Sequence, residues 1–166
     1  MDSALKTIEQ FAPDVVPSLM IPLAGRTLLA PTVSVAEMVP YTIVESIDNA
    51  PDWLLGFFEW RNVKVPLLSF EVLSGETKAE LQPKSRIAVF NNTGVSESVP
   101  FIALPTQGIP KLVRVSAEDI SVTEGRTCLR FERMHVTLSG DELLIPDVSA
   151  LEQVYLDWQN TSQLFN

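Results

Sequence analysis

The alternation of apolar and polar positions between Leu54 and Leu68 predicts a β-hairpin. Residues 54–60 form a largely apolar run, and residues 63–68 form an alternating run that includes a proline. Between them stand Arg61 and Asn62, the length of a tight two-residue turn. Asn62 can adopt the positive φ that such a turn requires. The sequence therefore places a fixed cation, Arg61, at the tip of a hairpin.

The rest of the chain is divided into short apolar runs by proline, glycine, asparagine and aspartate. This pattern is typical of an all-β barrel or sandwich. Residues 33–41 are ambiguous, because Pro31 and Pro40 bound a segment that is too short for a helix to be assigned. The polar segment 74–85 predicts an exposed loop. Further strands are predicted at residues 18–23, 26–31, 86–90, 99–104, 111–115, 128–138 and 142–145.

The end of the chain has the spacing of an amphipathic helix over residues 148–159. Asp147 is a suitable N-cap, and Glu152 and Asp157 are expected on the polar face. We divide the chain into an N-terminal leader (1–14), one domain (15–159) and a C-terminal tail (160–166). The apolar face recurs at helical intervals through Val148, Leu151, Val154, Tyr155 and Trp158.

Composition and charge narrow the class of protein. The chain has 166 residues, 46% hydrophobic and 20% charged, which is typical of a globular domain. Its formal net charge of -9 argues against nucleic-acid binding, which needs clustered lysine and arginine. The most apolar stretch, residues 15–24, is too short to span a bilayer and contains two prolines. With no signal peptide in view, we expect a cytoplasmic protein without membrane insertion.

Residues for catalysis are scarce. Cys128 and His135 are the only cysteine and histidine, and neither lies in a nucleophile or metal-ligand motif. His135 fits a surface or partly buried strand position, and Cys128 fits a small core position. The paired carboxylates at 118–119 and 141–142 flank predicted turns and are expected in solvent. No glycine-rich phosphate loop is present. We expect no catalytic residue, no metal and no cofactor.

Several segments together resemble the CheW-like domain family over residues 25–151. The chain departs from the family pattern at Asn62, where a glycine is usual, at Pro105, where an aspartate is common, and in the bulk of Phe57, Phe58 and Trp60. The matching elements are Val35-Ala36-Glu37-Met38-Val39, Ala50-Pro51-Asp52-Trp53-Leu54-Leu55-Gly56, Arg61, Val65-Pro66-Leu67, 112–120 and 141–151.

The resemblance implies both a fold and a function. The fold is all-β, with two intertwined five-stranded SH3-like barrels and a C-terminal α-helix. The function is that of a non-enzymatic adaptor that couples the cytoplasmic tips of methyl-accepting chemoreceptors to the regulatory domain of a CheA-type histidine kinase. Among its relatives the chain looks most like the accessory couplers of type IV pilus systems, which control twitching motility.

The resemblance also implies partner-binding residues. In the family, the counterparts of Glu37 and Arg61 lie side by side at the receptor-facing surface. Alternatively, Arg61 only keeps an exposed turn hydrated, and Gly56 serves only the backbone of its strand. The implied partner-binding set is Val35, Glu37, Gly56, Trp60, Arg61 and Asn62.

Two other interpretations of the sequence remain open. One is an unrelated β-barrel module that binds a peptide or a small ligand. The other is an enzyme built on dispersed carboxylates, which would require a deep polar cleft.

Overall fold

Eleven β-strands, two α-helices and a 3-10 helix make up the described part of the computed structural model, residues 15–42 and 44–164. The predicted leader, 1–14, lies outside it. The helices are the 3-10 helix Thr32–Ser34, α1 (Phe70–Leu73) and α2 (Val148–Leu164). The strands are β1 (Val15–Leu23), β2 (Arg26–Pro31), β3 (Val35–Pro40), β4 (Leu54–Trp60), β5 (Val63–Leu68), β6 (Arg86–Asn91), β7 (Phe101–Pro105), β8 (Lys111–Ser116), β9 (Ile120–Val122), β10 (Glu132–Leu138) and β11 (Asp141–Pro146).

The strands form two mixed sheets that are interleaved along the chain. The first has six strands in the order β8-β1-β2-β11-β10-β9, and the second has five in the order β3-β6-β7-β5-β4. The chain builds two strands of the first sheet, then the whole second sheet, and then returns to complete the first. The predicted mainly-β fold with a C-terminal helix is confirmed, with strand counts of six and five rather than five each.

The residues of the tight turns determine where two of the hairpins form. At the tip of β4 and β5, Arg61 has φ 48° and Asn62 has φ 65°, and both central residues of a type I′ turn need such positive values. Ser139 and Gly140 join β10 and β11 in the same way, with φ 50° and 88°. The predicted hairpin at 54–68 is confirmed with the strand ends that the sequence indicated.

One large core lies between the two sheets and beneath α2. Leu28, Phe70, Phe90 and Leu151, from four different elements, are all at 0% exposure in it. Burying an aliphatic or phenyl side chain of this size contributes about 1.5–3 kcal/mol to stability. Two smaller clusters fill the individual sheets, one around Phe58 in the second sheet and one around Leu29 in the first.

Some local expectations are wrong. Helix α2 continues past Gln159 to Leu164, through residues assigned to the tail. Segment 33–41, which the sequence left ambiguous, comprises the end of the 3-10 helix, strand β3 and Tyr41. The strand predicted from residue 128 begins only at Glu132, so Cys128 is exposed instead of lying in the core. The short helix α1 was missed; it begins where the Ser69 hydroxyl accepts a hydrogen bond from the Val72 amide at 3.2 Å.

The position of Glu152 also differs from the sequence-based prediction. It lies on the buried side of α2, at 0% exposure. Its carboxylate accepts hydrogen bonds from both the backbone amide and the hydroxyl of Thr93, in the loop that follows β6. A buried carboxylate needs such donors, because burial without them is costly. Helical spacing could not reveal a donor provided by a distant loop.

Candidate functional site

The Glu37 carboxylate connects β3 to the tip of the β4–β5 hairpin. Its Oε2 accepts a hydrogen bond from the indole Nε1 of Trp60 at 2.6 Å, and its Oε1 accepts one from the Arg61 guanidinium at 3.0 Å. The adjacency of Glu37 and Arg61 that the family resemblance implied is confirmed. We call Glu37, Trp60 and Arg61 the Glu37 cluster.

The sheet topology explains why these residues meet. Strands β3 and β4 are the two outermost strands of the second sheet, and no ladder of backbone hydrogen bonds joins them. The pairing of β3 with β6 shifts register between Val35 and Glu37, so Ala36 is an extra residue there. Such a bulge bends a strand and re-aims its side chains. The Glu37 cluster thus joins the two edges of the sheet through side chains.

Arg61 is held in place and yet open to solvent. Its side chain is 68% exposed, whereas Glu37 is 36% exposed. The guanidinium carbon lies 5.2 Å from the centroid of the Trp60 ring, close enough for a cation–π contact. The Trp60 ring in turn meets Phe101 edge-on at 4.8 Å. The cation is therefore presented on an aromatic side chain that is itself packed against Phe101.

The electrostatics of the cluster keep Glu37 ionised. Hydrogen bonds from Trp60 and then from Arg61 hold the pKa of Glu37 below its ordinary value of 4.5. Because both donors favour the charged form, the carboxylate is negative at neutral pH. The site therefore offers an ion pair between Glu37 and Arg61 at a hairpin tip.

The other predicted site residues occupy different environments. Val35 is half-buried and packs against the large core, while Asn62 is exposed in the turn. Gly56 is buried with φ 146°, and a β-carbon there would collide with the Glu45 carbonyl and lie 2.6 Å from Val44 Cγ1. Gly56 therefore lets the 44–45 segment pair with β4, through the bridge between Glu45 and Phe57. It shapes the hairpin without offering a contact surface.

Nine large apolar side chains of the described residues are exposed, and three of them illustrate what the sequence pattern does not reveal. Val33, in the 3-10 helix before β3, is 82% exposed; Ile109, before β8, is 61% exposed; Leu112, in β8, is 65% exposed. Val33 stands two residues before Val35, on the segment that leads to Glu37. Hydrophobic periodicity marks such residues as apolar but does not say which of them the fold leaves uncovered.

A polar cavity of about 500 Å³ lies against the first sheet. It is the feature to compare with the polar cleft that the enzyme interpretation requires. Its buried Glu132 already accepts hydrogen bonds from the Leu129 amide at 2.9 Å, from His135 at 3.1 Å and from Arg26 at 3.3 Å. Burial acts to raise the pKa of Glu132, but the bonds from Leu129 and His135 and the charge of Arg26 bring it below the ordinary value. The Glu132 carboxylate thus forms its hydrogen bonds with groups of the protein itself and stabilises the wall of the cavity.

The remaining chemistry of the described residues is equally limited. His135 is partly buried on its strand, as predicted. Over residues 15–42 and 44–164, no three or more histidine, cysteine, aspartate or glutamate side chains are grouped as a metal site would require. None of the helices described is both long and apolar enough to cross a membrane.

Comparison with known proteins identifies the family to which the chain belongs. The model of the CheW-like domain matches residues 17–154, which is most of the chain. The chain belongs to the CheW-like domain family. CheW-like domains are scaffolding and coupling modules of chemotaxis signalling and are not enzymes, so the enzyme interpretation is set aside.

A solved structure supports the fold of this CheW-like domain. The scaffolding protein TtCheW from Thermoanaerobacter tengcongensis superposes with a TM-score of 0.67 at 16% sequence identity. The alignment covers 79% of this chain and 88% of that chain. At such low identity the match establishes a shared fold. No curated protein sequence matches the chain.

Proposed function

We propose that this CheW-like domain is an adaptor that couples the cytoplasmic tips of chemoreceptors to the regulatory domain of a CheA-type histidine kinase. The observation that carries the proposal is the Glu37 cluster, in which an exposed arginine at a hairpin tip is held by a carboxylate and an indole ring. Val35, Gly56 and Asn62 complete the proposed partner-binding set, Gly56 by shaping the hairpin and the other two by contact.

The geometry favours a docking role for Arg61 over a stabilising one. Ion pairs between exposed side chains contribute little to folding stability. The fold already holds the hairpin by the β4–β5 ladder and by the packing of Phe58 and Val65 in the second sheet. An arginine fixed by Glu37 and Trp60 loses less conformational freedom when it binds than a free one does, which favours association.

An exposed apolar residue adds a second element to the proposed interface. Val33 is 82% exposed and lies just before the β3 segment of the site. A protein interface combines an apolar centre with charged groups at its rim. Val33 supplies apolar contact area, and Arg61 and Glu37 supply the charged part.

The proposed mechanism is allosteric scaffolding in the cytoplasm. The adaptor binds receptor and kinase together, and its contacts favour one kinase conformation over another. The state of the receptor then biases kinase activity through the difference in binding free energy between the two conformations. We further propose that this assembly of receptor, adaptor and kinase controls twitching motility driven by type IV pili. The support for this is the sequence resemblance to the accessory couplers of type IV pilus systems.

The test is a binding measurement with purified components. The kinase regulatory domain and a receptor-tip fragment are titrated into the full chain by isothermal calorimetry, first singly and then together. Binding to both partners, weakened by Arg61→Ala and unaffected by Lys84→Ala in the polar 74–85 segment, supports the proposal. Failure to bind either partner would overturn it. Loss of surface spreading with normal swimming in a deletion strain tests the pilus output.

A further inference from the structure

Two copies of the tripeptide Gly-Arg-Thr line the polar cavity of about 500 Å³ against the first sheet. Gly25-Arg26-Thr27 lies where β1 turns into β2, and Gly125-Arg126-Thr127 lies in the segment between β9 and β10. The two glycines have φ 76° and 78°, so each arginine directly follows a turn residue with a left-handed backbone. The fold thus brings two arginines from distant parts of the chain to one cavity, which we call the two-arginine cavity.

The arginine of the first copy is already engaged by the protein. Arg26 donates a hydrogen bond of 3.3 Å to Glu132, and its other terminal nitrogen forms an ion pair with Glu76. Glu132 is 8% exposed and accepts its further hydrogen bonds from the Leu129 amide and from His135. Because the charge of Arg26 is balanced by two carboxylates, this arginine stabilises the wall of the cavity.

The arginine of the second copy remains available to a ligand. Arg126 is 55% exposed, and its Nε lies 2.7 Å from the Oε1 of Glu142, which is 44% exposed. Its two terminal nitrogens form no hydrogen bond to residues 15–42 and 44–164. An ion pair between side chains this exposed is weak, so a ligand can displace Glu142 from Arg126 at little cost.

Each tripeptide also brings a threonine hydroxyl to the lining of the cavity. Within the described ranges, neither the Thr27 hydroxyl nor the Thr127 hydroxyl has a hydrogen-bond partner, and no buried side-chain oxygen or nitrogen lacks one. Both hydroxyls are therefore open to solvent or to a ligand. Guanidinium and hydroxyl groups that await an acceptor favour a ligand that is rich in acceptor oxygens.

We propose that the two-arginine cavity binds a small molecule through its phosphate group, with Arg126 as the principal contact. A guanidinium can hold a phosphate by two parallel hydrogen bonds. A tetrahedral phosphate has further oxygens that can accept hydrogen bonds from the other tripeptide, whereas a planar carboxylate has only two oxygens. The volume of about 500 Å³ lies in the range of small-molecule sites and leaves room for the rest of the ligand. With a net charge of -9 the chain repels polyanions, which favours a single phosphate.

The test is an NMR titration of the full chain with inorganic phosphate, at an ionic strength held constant with sodium chloride. We expect saturable shifts of the Thr27, Gly125 and Thr127 amides and of the Arg126 Nε–H signal. Acetate, titrated in the same way, should bind at least about tenfold more weakly, because it offers fewer acceptor oxygens. Acetate binding as tight as phosphate binding would overturn the assignment of a phosphate ligand.

Two variants and their matched controls test the role of Arg126. Arg126→Gln should weaken phosphate binding at least about tenfold, whereas Arg114→Gln, in β8 and outside the cavity, should leave it unchanged. Glu142→Gln should strengthen phosphate binding roughly two- to fivefold, the equivalent of an exposed ion pair, because it removes the carboxylate that competes for Arg126. Glu97→Gln makes the same change of charge in the loop after β6 and should have no such effect.

The amide spectrum of each variant also reports whether the chain remains folded. Shifts that do not saturate, shifts confined to another surface, or phosphate binding insensitive to Arg126→Gln would each overturn the proposal. So would equal effects of Glu142→Gln and Glu97→Gln, since a general change of charge would then explain both. Neither kinase nor receptor is present, so these outcomes are independent of the coupling function.

Discussion

The indole of Trp60 donates a hydrogen bond of 2.6 Å to the carboxylate of Glu37, a residue 23 positions earlier in the chain. The two residues belong to the outermost strands of the five-stranded sheet, which share no backbone ladder. This contact and the neighbouring one from Arg61 connect the sheet edges. The Glu37 carboxylate thereby connects the two edges of the sheet and also holds the exposed Arg61 side chain in place.

Arg61→Ala should separate binding from stability. Removal of an exposed guanidinium leaves the hairpin ladder and the core untouched, so the melting temperature should stay within about 2 °C of the wild type. Affinity for the receptor tip or for the kinase regulatory domain should fall about tenfold, roughly 1.4 kcal/mol of binding free energy. Calorimetry and thermal melts measure the two effects. A large drop in melting temperature would show that the pair is structural.

The Glu37–Trp60 contact should respond to acid. Because the pKa of Glu37 is lowered in the folded protein, its contribution to stability is present above the unfolded-state pKa of about 4.5 and is lost as the pH falls through the lower folded-state value. The indole N–H resonance of Trp60 should move in the same window as its acceptor is protonated. An NMR titration measures this.

Glu37→Gln serves as the control for that titration. The amide introduced by this substitution keeps an acceptor oxygen but does not titrate, so the acid-dependent shift of the Trp60 indole should disappear. The indole resonances of Trp53 and Trp158 provide an internal reference, since the Glu37 carboxylate accepts its indole hydrogen bond from Trp60. Persistence of the shift in the variant would mean that another group causes it.

Gly56→Ala should destabilise the protein by at least about 2 kcal/mol, because it combines backbone strain with a steric collision. The backbone there has φ 146°, and a methyl group would meet the Glu45 carbonyl. The matched control is Gly140→Ala, at φ 88° with open space around the added carbon. Urea unfolding of both variants measures the difference. Equal losses would mean that the approach of the 44–45 segment is unimportant.

Glu152→Ala should cost about 2–3 kcal/mol of folding stability, because it leaves the Thr93 amide without its acceptor and opens a cavity beneath the loop. Amide hydrogen exchange in residues 92–99 should accelerate more than in β6. Thr93→Val keeps the amide donor and removes only the hydroxyl, so its loss should be smaller. If the loop exchanges at the wild-type rate in Glu152→Ala, the carboxylate does not hold it.

The hairpin at residues 54–68 could be predicted from the sequence because its causes are local. An Arg-Asn pair between two apolar runs determines the turn, and the turn determines the register of the strands as far as the pairing of Gly56 with Leu67. Beyond that pair, an extra residue at Leu55 shifts the register. Asp147 likewise marked the start of α2, where its carboxylate accepts a hydrogen bond from the Ala150 amide at 3.1 Å. The predicted end of α2 was wrong, because residues 160–164 carry no breaker and helix ends depend on weak local signals.

The sequence by itself determined the strand-rich pattern, the hairpin with Arg61 at its tip and the resemblance to a family of couplers, since these depend on neighbouring residues. Only the tertiary structure decided that Glu37 lies against Trp60, that Glu152 is buried beneath Thr93, and that Arg26 and Arg126 line one cavity. Each of these depends on how two sheets assembled from interleaved segments are closed and packed together. Long-range packing brings together residues whose spacing along the chain carries no periodic signal.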